Sequence, residues 1–197
     1  MDTDIQPLWA HPEPGPRFKP SEAASVIMEA GMDAEKVVQE VRAWIREGYV
    51  QTRERVGKGT KNPHSVLSIS DLGVAKILSI LKWDYGITDP QIVGFVSAGC
   101  YGWQEGDHTP HDKRFPHPIF NAVNDTAPAV QRDWVFRLDA YRQDGTGMRQ
   151  FRTALYDIES PPSRRFDDAA PRGSIMLNLR PHLAPIMEVA VRKAKAN

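Results

Sequence analysis

The sequence predicts an α+β fold, with a helix-rich N-terminal head followed by a small antiparallel β-hairpin/strand plus helix module. Three observations lead there. Between residues 18 and 82 apolar positions recur at helical spacing, interrupted by one short basic stretch with two glycines. From Trp134 onward Phe136, Leu138 and Ala140 alternate with mostly polar neighbours, as in a half-buried strand. Between Pro181 and Lys195 the helical period returns, with Leu183, Ile186, Met187 and Ala190 on one face.

The bulk properties narrow the functional classes. The chain has 197 residues, with 25 basic side chains balancing 25 acidic ones. Any case for a nucleic-acid partner therefore rests on where the charges sit. A single cysteine, Cys100, rules out an intrachain disulfide framework and fits a reducing, cytosolic setting. No apolar run approaches the roughly 20 residues that cross a bilayer. Met1-Asp2-Thr3-Asp4 lacks the basic-then-apolar order of a secretory signal. The expectation is a soluble cytoplasmic protein, in the nucleoid if it binds DNA.

Residues 1–17, with Pro7, Pro12, Pro14 and Pro16, read as an extended arm. Pro20-Ser21-Glu22 opens a first helix and Gly31 closes it. Asp33 caps a second helix over residues 33–47, whose Val37, Val38, Val41, Trp44 and Ile45 face a core. Its opposite stripe is Gln39, Arg42, Ala43 and Arg46, residue types that suit a major groove. Gly48 ends this helix. Residues 53–61 then place Arg53, Arg55, Lys58 and Lys61 against one acid, Glu54, around Gly57 and Gly59. Val66-Leu67-Ser68-Ile69 reads as the returning strand, and Ser70-Asp71 cap a third helix bearing Leu72, Ala75, Ile77, Leu78 and Leu81. A basic hairpin directly after an arginine-faced helix is the order of a winged helix-turn-helix, whose wing grips backbone phosphates.

Residues 83–131 form a connecting region, with a short helix from Asp89-Pro90 to Val96 and then a His/Pro-rich loop. Residues 132–197 hold the hairpin, turning at Asp144-Gly145-Thr146-Gly147, a further strand with Ile175, Leu177 and Leu179, and the terminal helix. Arg192, Lys193 and Lys195 complement that helix's own dipole, which accounts for them without a further role.

The segment 18–82 resembles the winged-helix DNA-binding domain of the MerR-type regulators. Phe18-Lys19-Pro20-Ser21-Glu22-Ala23-Ala24 looks like that family's opening strand-to-helix passage. Val41-Arg42-Ala43-Trp44-Ile45-Arg46-Glu47-Gly48-Tyr49-Val50 is similar to its recognition-helix signature, and Leu67-Ser68-Ile69-Ser70-Asp71-Leu72 to the stretch after its wing. The resemblance implies that Arg42 contacts DNA backbone and that Arg55 and Lys58 lie in the wing. The stretch between the first two helices is several residues longer than in that family, and the long dimerising helix has no counterpart. The resemblance therefore does not extend to metal or drug sensing.

Other constellations carry less. Asp107, His108, His111, Asp112 and His117 match no common zinc spacing, and Pro110 and Pro116 interrupt them; His108, His111 and His117 are the metal ligands to test. No Gly-x-Ser-x-Gly elbow or Walker-type phosphate loop is present, so the expectation is a binding protein, not an enzyme, with no cofactor. Glu40 and Glu47 flank the cationic stripe and are expected to pair with Lys36 and Arg46. Trp134, Trp83, Trp103 and Tyr101 are read as core packing before ligand stacking. The sequence thus points to a sequence-specific DNA-binding transcription regulator that contacts double-stranded DNA through Gln39, Arg42, Arg46, Arg53, Arg55, Lys58 and Lys61. It is expected to act as a homodimer, residues 132–197 serving oligomerisation or an effector or protein partner. A phage-type architectural or recombination-associated DNA binder and a protein-interaction module built on a winged helix stay open.

Overall fold

The computed structural model describes residues 13–52, 54–56, 64–102, 117–130, 132–142, 146, 148–159, 161 and 172–196. In chain order the elements are α1 (Pro20–Ile27), α2 (Ala34–Arg46), β1 (Glu54–Val56), β2 (His64–Val66), α3 (Ile69–Trp83), α4 (Pro90–Tyr101), α5 (Pro118–Asn124), β3 (Trp134–Arg142), β4 (Arg149–Asp157), β5 (Gly173–Asn178) and α6 (Arg180–Ala196). The architecture is α+β. No described helix is long and apolar enough to cross a membrane.

Local chemistry explains most boundaries. Pro20 starts α1 with its fixed φ, and the Glu22 carboxylate accepts from the Lys19 amide at 2.7 Å. α1 ends at Ile27, before Gly31, which instead turns the following loop at φ +87°. Asp33 caps α2 by accepting from the Glu35 and Lys36 amides. Asp89 caps α4 in the same way, and Pro90 occupies its first turn. α4 runs on to Tyr101, five residues past the expected end at Val96, because Val96, Cys100 and Tyr101 continue its buried face.

The start of α3 differs from expectation. Its cap is Ser68, with Asp71 completing a reciprocal capping box, and Ile69 is already helical. β2 accordingly ends at Val66, and Leu67 makes an isolated antiparallel bridge with Phe18 through amide–carbonyl bonds of 2.9 and 2.8 Å. The chain just before α1 is thereby tied to the end of the β1–β2 hairpin. From Ile69 to Leu81 every residue of α3 is buried. A helix covered on all sides is the axis of a core, not one wall of it; α1, α4, α5 and α6 all pack on α3. Gly73 permits the approach of α5, since a Cβ there would lie 2.7 Å from Ile119 Cγ1.

β4, β3 and β5 form an antiparallel sheet in that order, with Trp134 opposite Asp157, Arg142 opposite Arg149, and Phe136 opposite Leu177. Trp134, Phe136, Leu138, Leu155 and Leu177 join the main core, while Val135, Ala154 and Tyr156 form a small cluster on the reverse face. The buried apolar residues run continuously from Phe18 through α3 to Ala190 in α6. α6 buries Leu183, Ile186 and Ala190, as its periodicity predicts. Its basic end does more than complement a dipole. Lys193 Nζ donates to Glu22 at 2.8 Å and sits 4.8 Å from the Phe18 ring centroid, so the last helix clasps the first. Trp134 and Tyr101 are buried as expected, whereas Trp83 is exposed and Trp103 lies outside the described residues.

Candidate nucleic-acid interface

α2 is held by Val37, Val41 and Trp44, all buried, with Val38 and Ile45 half-buried beside them. The face opposite those anchors is open: Gln39, Arg42 and Arg46 are all exposed. Gly48, at φ +78°, reverses the chain after α2, a conformation that favours glycine. Trp44 O then accepts both the Tyr49 amide at 2.9 Å and the Val50 amide at 3.1 Å. Ser97 of α4 donates to Tyr49 O at 2.6 Å. These bonds direct the chain from the end of α2 straight into β1.

That path opens a surface groove of about 540 Å³ lined by Arg42, Ile45, Arg46, Gly48, Val50, Gln51, Thr52 and Ser65. Two arginines of α2 and a residue of β2 therefore border one depression. Arg55 in β1 is the register partner of Ser65. Arg53, Lys58 and Lys61 lie outside the described residues, as do His108 and His111.

The acids flanking the stripe are disposed of in different ways. Glu40 turns to α3, where Lys82 Nζ donates at 2.7 Å and Trp83 Nε1 at 3.2 Å; its expected pairing with Lys36 is replaced by one that removes its charge from the groove. Glu47 pairs with Arg46 at 3.1 Å, as expected, but both side chains are more than half exposed. An exposed pair of that kind is worth about 0–1 kcal/mol, so a phosphate can displace it at small cost. No ion pair engages Arg42 among the described residues.

Behind the groove lies a buried polar chain whose partners no local spacing pairs. The Gln51 amide, in the groove wall, donates to Tyr101 Oη at 3.1 Å, and that hydroxyl donates to Asp71 Oδ1 at 2.6 Å. Asp71 Oδ2 accepts from the Ser68 amide at 2.8 Å and the Ser68 hydroxyl at 3.0 Å. The Glu13 carboxylate, from the arm, accepts from Ser68 Oγ and from the Ser70 amide, each at 3.0 Å. Burial pushes Asp71 up to about 6, against the lowering effect of its Tyr101 and Ser68 hydrogen bonds, and the nearby Glu13 adds to the rise. Burial raises Glu13 as well, and raises Tyr101 well above the usual phenol range.

His117 is part of the same architecture. Its Nδ1 lies 2.8 Å from Tyr101 O and its ring meets the Tyr101 ring edge-on. Among the described residues no three metal-capable side chains come together. Cys100 is fully buried, which pushes its thiol far above the usual range and away from reactivity. Comparison with protein-family models, with curated proteins and with solved structures finds no match for this chain.

Proposed function

We propose that this chain is a sequence-specific DNA-binding transcription regulator whose residues 18–82 act as a winged helix-turn-helix resembling that of the MerR-type regulators. The single observation behind the reading is the groove that Arg42, Arg46 and Ser65 border together, with Arg55 the register partner of Ser65. A cationic helix face and a hairpin sharing one depression can meet one duplex, the helix in a major groove and the hairpin along the flanking backbone. The sequestering of Glu40 by Lys82 and the weak hold of Glu47 on Arg46 favour the same partner. In this reading Gln39 and Arg46 read bases, Arg42, Arg53, Arg55, Lys58 and Lys61 hold phosphates, and the protein works by binding, without chemistry, in the cytoplasm as a homodimer on paired half-sites.

Fluorescence anisotropy with labelled duplex DNA over a salt series tests the reading. Removing Lys58 or Lys61 is expected to weaken binding to all sequences alike and to reduce the slope of log K against log salt by about 0.9 each. Gln39→Ala is expected to relax base preference by about 1–3 kcal/mol at one position. A complex with a protein partner that ignores salt, and none with DNA at micromolar concentration, would instead make the segment an interaction module. Sedimentation that finds monomer alone, with and without DNA, would remove the dimer.

A further inference from the structure

We propose that the open end of the three-stranded sheet is a second nucleic-acid contact surface, built from Arg142, Arg149 and Arg172 and directed at backbone phosphates. These residues are far in sequence from α2 and the hairpin, and the inference does not require that α2 reads bases.

Register brings the three together. Arg142 and Arg149 are directly opposite one another at the last pair of the β3–β4 ladder. The Arg172 amide donates to Ala140 O at 2.7 Å, which sets Arg172 beside the same end of β3 from the other edge. With strands about 4.8 Å apart and about 3.3 Å per residue, the three backbone positions fall within roughly 10 Å. Duplex DNA carries a charge about every 1.7 Å of axis, so a patch of that width faces several phosphates.

The arrangement has a cost that folding does not explain. Like charges directly opposite on neighbouring strands destabilise a sheet. All three side chains are exposed, and among the described residues none has an acidic partner. The acid nearest along β3 is already committed. Asp139 is buried and accepts from Arg137 Nε at 2.8 Å, Tyr141 Oη at 3.2 Å and Ser174 Oγ at 2.6 Å. It fastens β3 to β5 and offsets Arg137, so it does not serve Arg142, Arg149 or Arg172. Arg152, opposite Asp139 in the register and on the other face of the sheet from Arg149, lies over the Tyr141 ring at 5.2 Å and is not part of this patch. Asp144, in the connecting turn, is outside the described residues.

Residue choice points to phosphate. Between residues 115 and 192 every basic side chain other than histidine is arginine, whereas residues 18–82 mix lysine and arginine. Solubility alone would accept either. The planar guanidinium fork, which binds phosphate oxygens bidentately, is the property that distinguishes arginine.

The test compares wild type, a tip variant (R142Q/R149Q/R172Q) and a groove variant (R42A/R46A), each titrated with fluorescein-labelled random-sequence duplex DNA from 50 to 300 mM salt, roughly the range where such contacts register. The tip variant is expected to bind at least about tenfold more weakly, with its salt slope reduced by about 2–3 units, while its Tm stays level or rises. Wild-type affinity and slope in the tip variant would overturn the proposal, and loss confined to the groove variant would leave the α2 reading standing alone. Loss confined to the tip variant would support this surface and sink the α2 reading. Absence of wild-type DNA binding at low salt overturns the proposal, and capture by phosphatidylserine vesicles in that case would assign the arginines to a membrane surface.

Discussion

Gly99→Ala is expected to lower the Tm of this protein by about 4–8 °C. α4 packs against β4, and Gly99 lies against Thr153. A Cβ at that position would collide with Thr153 Oγ1 and lie 2.7 Å from Thr153 Cβ. Thr153 cannot yield easily, since it is buried in the middle of a strand paired to Leu138. Alanine in mid-helix would ordinarily gain up to about 1 kcal/mol over glycine. Overpacking of a closed core costs about 1–3 kcal/mol and occasionally more, so strain is expected to win by about 2 kcal/mol. For a chain of this size each kcal/mol is worth roughly 2–4 °C. Thr153→Ala, placed in the Gly99→Ala background, removes the hydroxyl and should return part of the loss. The two changes should therefore couple by at least about 0.5 kcal/mol in a double-mutant cycle. Strict additivity would mean that α4 and β4 do not meet here.

Asp71 is expected to make the protein more stable in mild acid than at neutrality. Its carboxyl is raised from 3.8 to about 6, so the folded state holds a proton that the unfolded chain has released. The stability this contributes is complete below about pH 4 and disappears as pH rises through about 6. A difference of that size corresponds to roughly 3 kcal/mol across the window. Asp71→Asn imitates the protonated carboxyl: its oxygen can accept from Ser68, and its amide can donate to the Tyr101 oxygen. Urea unfolding at intervals from pH 4.5 to 7.5 should show the wild type losing stability relative to Asp71→Asn as pH increases. Glu13, raised by its burial, and His182, lowered by its burial, add their own pH dependence. The difference between the two proteins cancels the His182 contribution, while Glu13, coupled to Asp71, is part of the same response. Parallel profiles would show that Asp71 is ionised throughout. Asp71→Ala is the harsher change, since it strands the buried Tyr101 hydroxyl and Ser68 amide and should cost about 1–3 kcal/mol for each unsatisfied donor.

What the sequence disclosed and what it hid divide along the range of the interactions. Asp33, Gly48 and Asp89 act within a few residues of themselves, and the helices they bound could be placed from local pattern. The β3–β4 hairpin could be placed as well, because alternation and a glycine turn are also local signals. α5 was obscured: His117 and Pro118 stand at its start, and seven residues are too few for a periodic signature. The full enclosure of α3 is not legible locally, because Ser70, Asp71, Lys76 and Ser79 interrupt its apolar run. Each of these is buried, and at least two owe that to distant partners. Lys76 donates to Ile27 O at 2.9 Å and to Glu29 at 2.6 Å, and Asp71 receives Tyr101. Pairings such as Glu13 with Ser70, Glu40 with Lys82 and Lys193 with Glu22 join residues more than forty positions apart, where no spacing rule applies. For the candidate groove, adjacency along the chain suggested that α2 and the hairpin belong together. That Arg42, Arg46 and Ser65 share a depression required the fold.

The enclosure of α3 also limits how the protein can be divided. A fragment ending near residue 84 would keep α1, α2 and the hairpin but strip α4, α5 and α6 from α3, whose residues from Ile69 to Leu81 are all buried, leaving a greasy flank in water. Such a piece is expected to clump or melt in the test tube instead of folding alone. Grafting the head onto another protein would have to carry the sheet and the last helix with it. By the same token, any ligand or partner that loosens α6 would be felt at α1 through Lys193 and Glu22, giving the far end of the chain a direct grip on the near one.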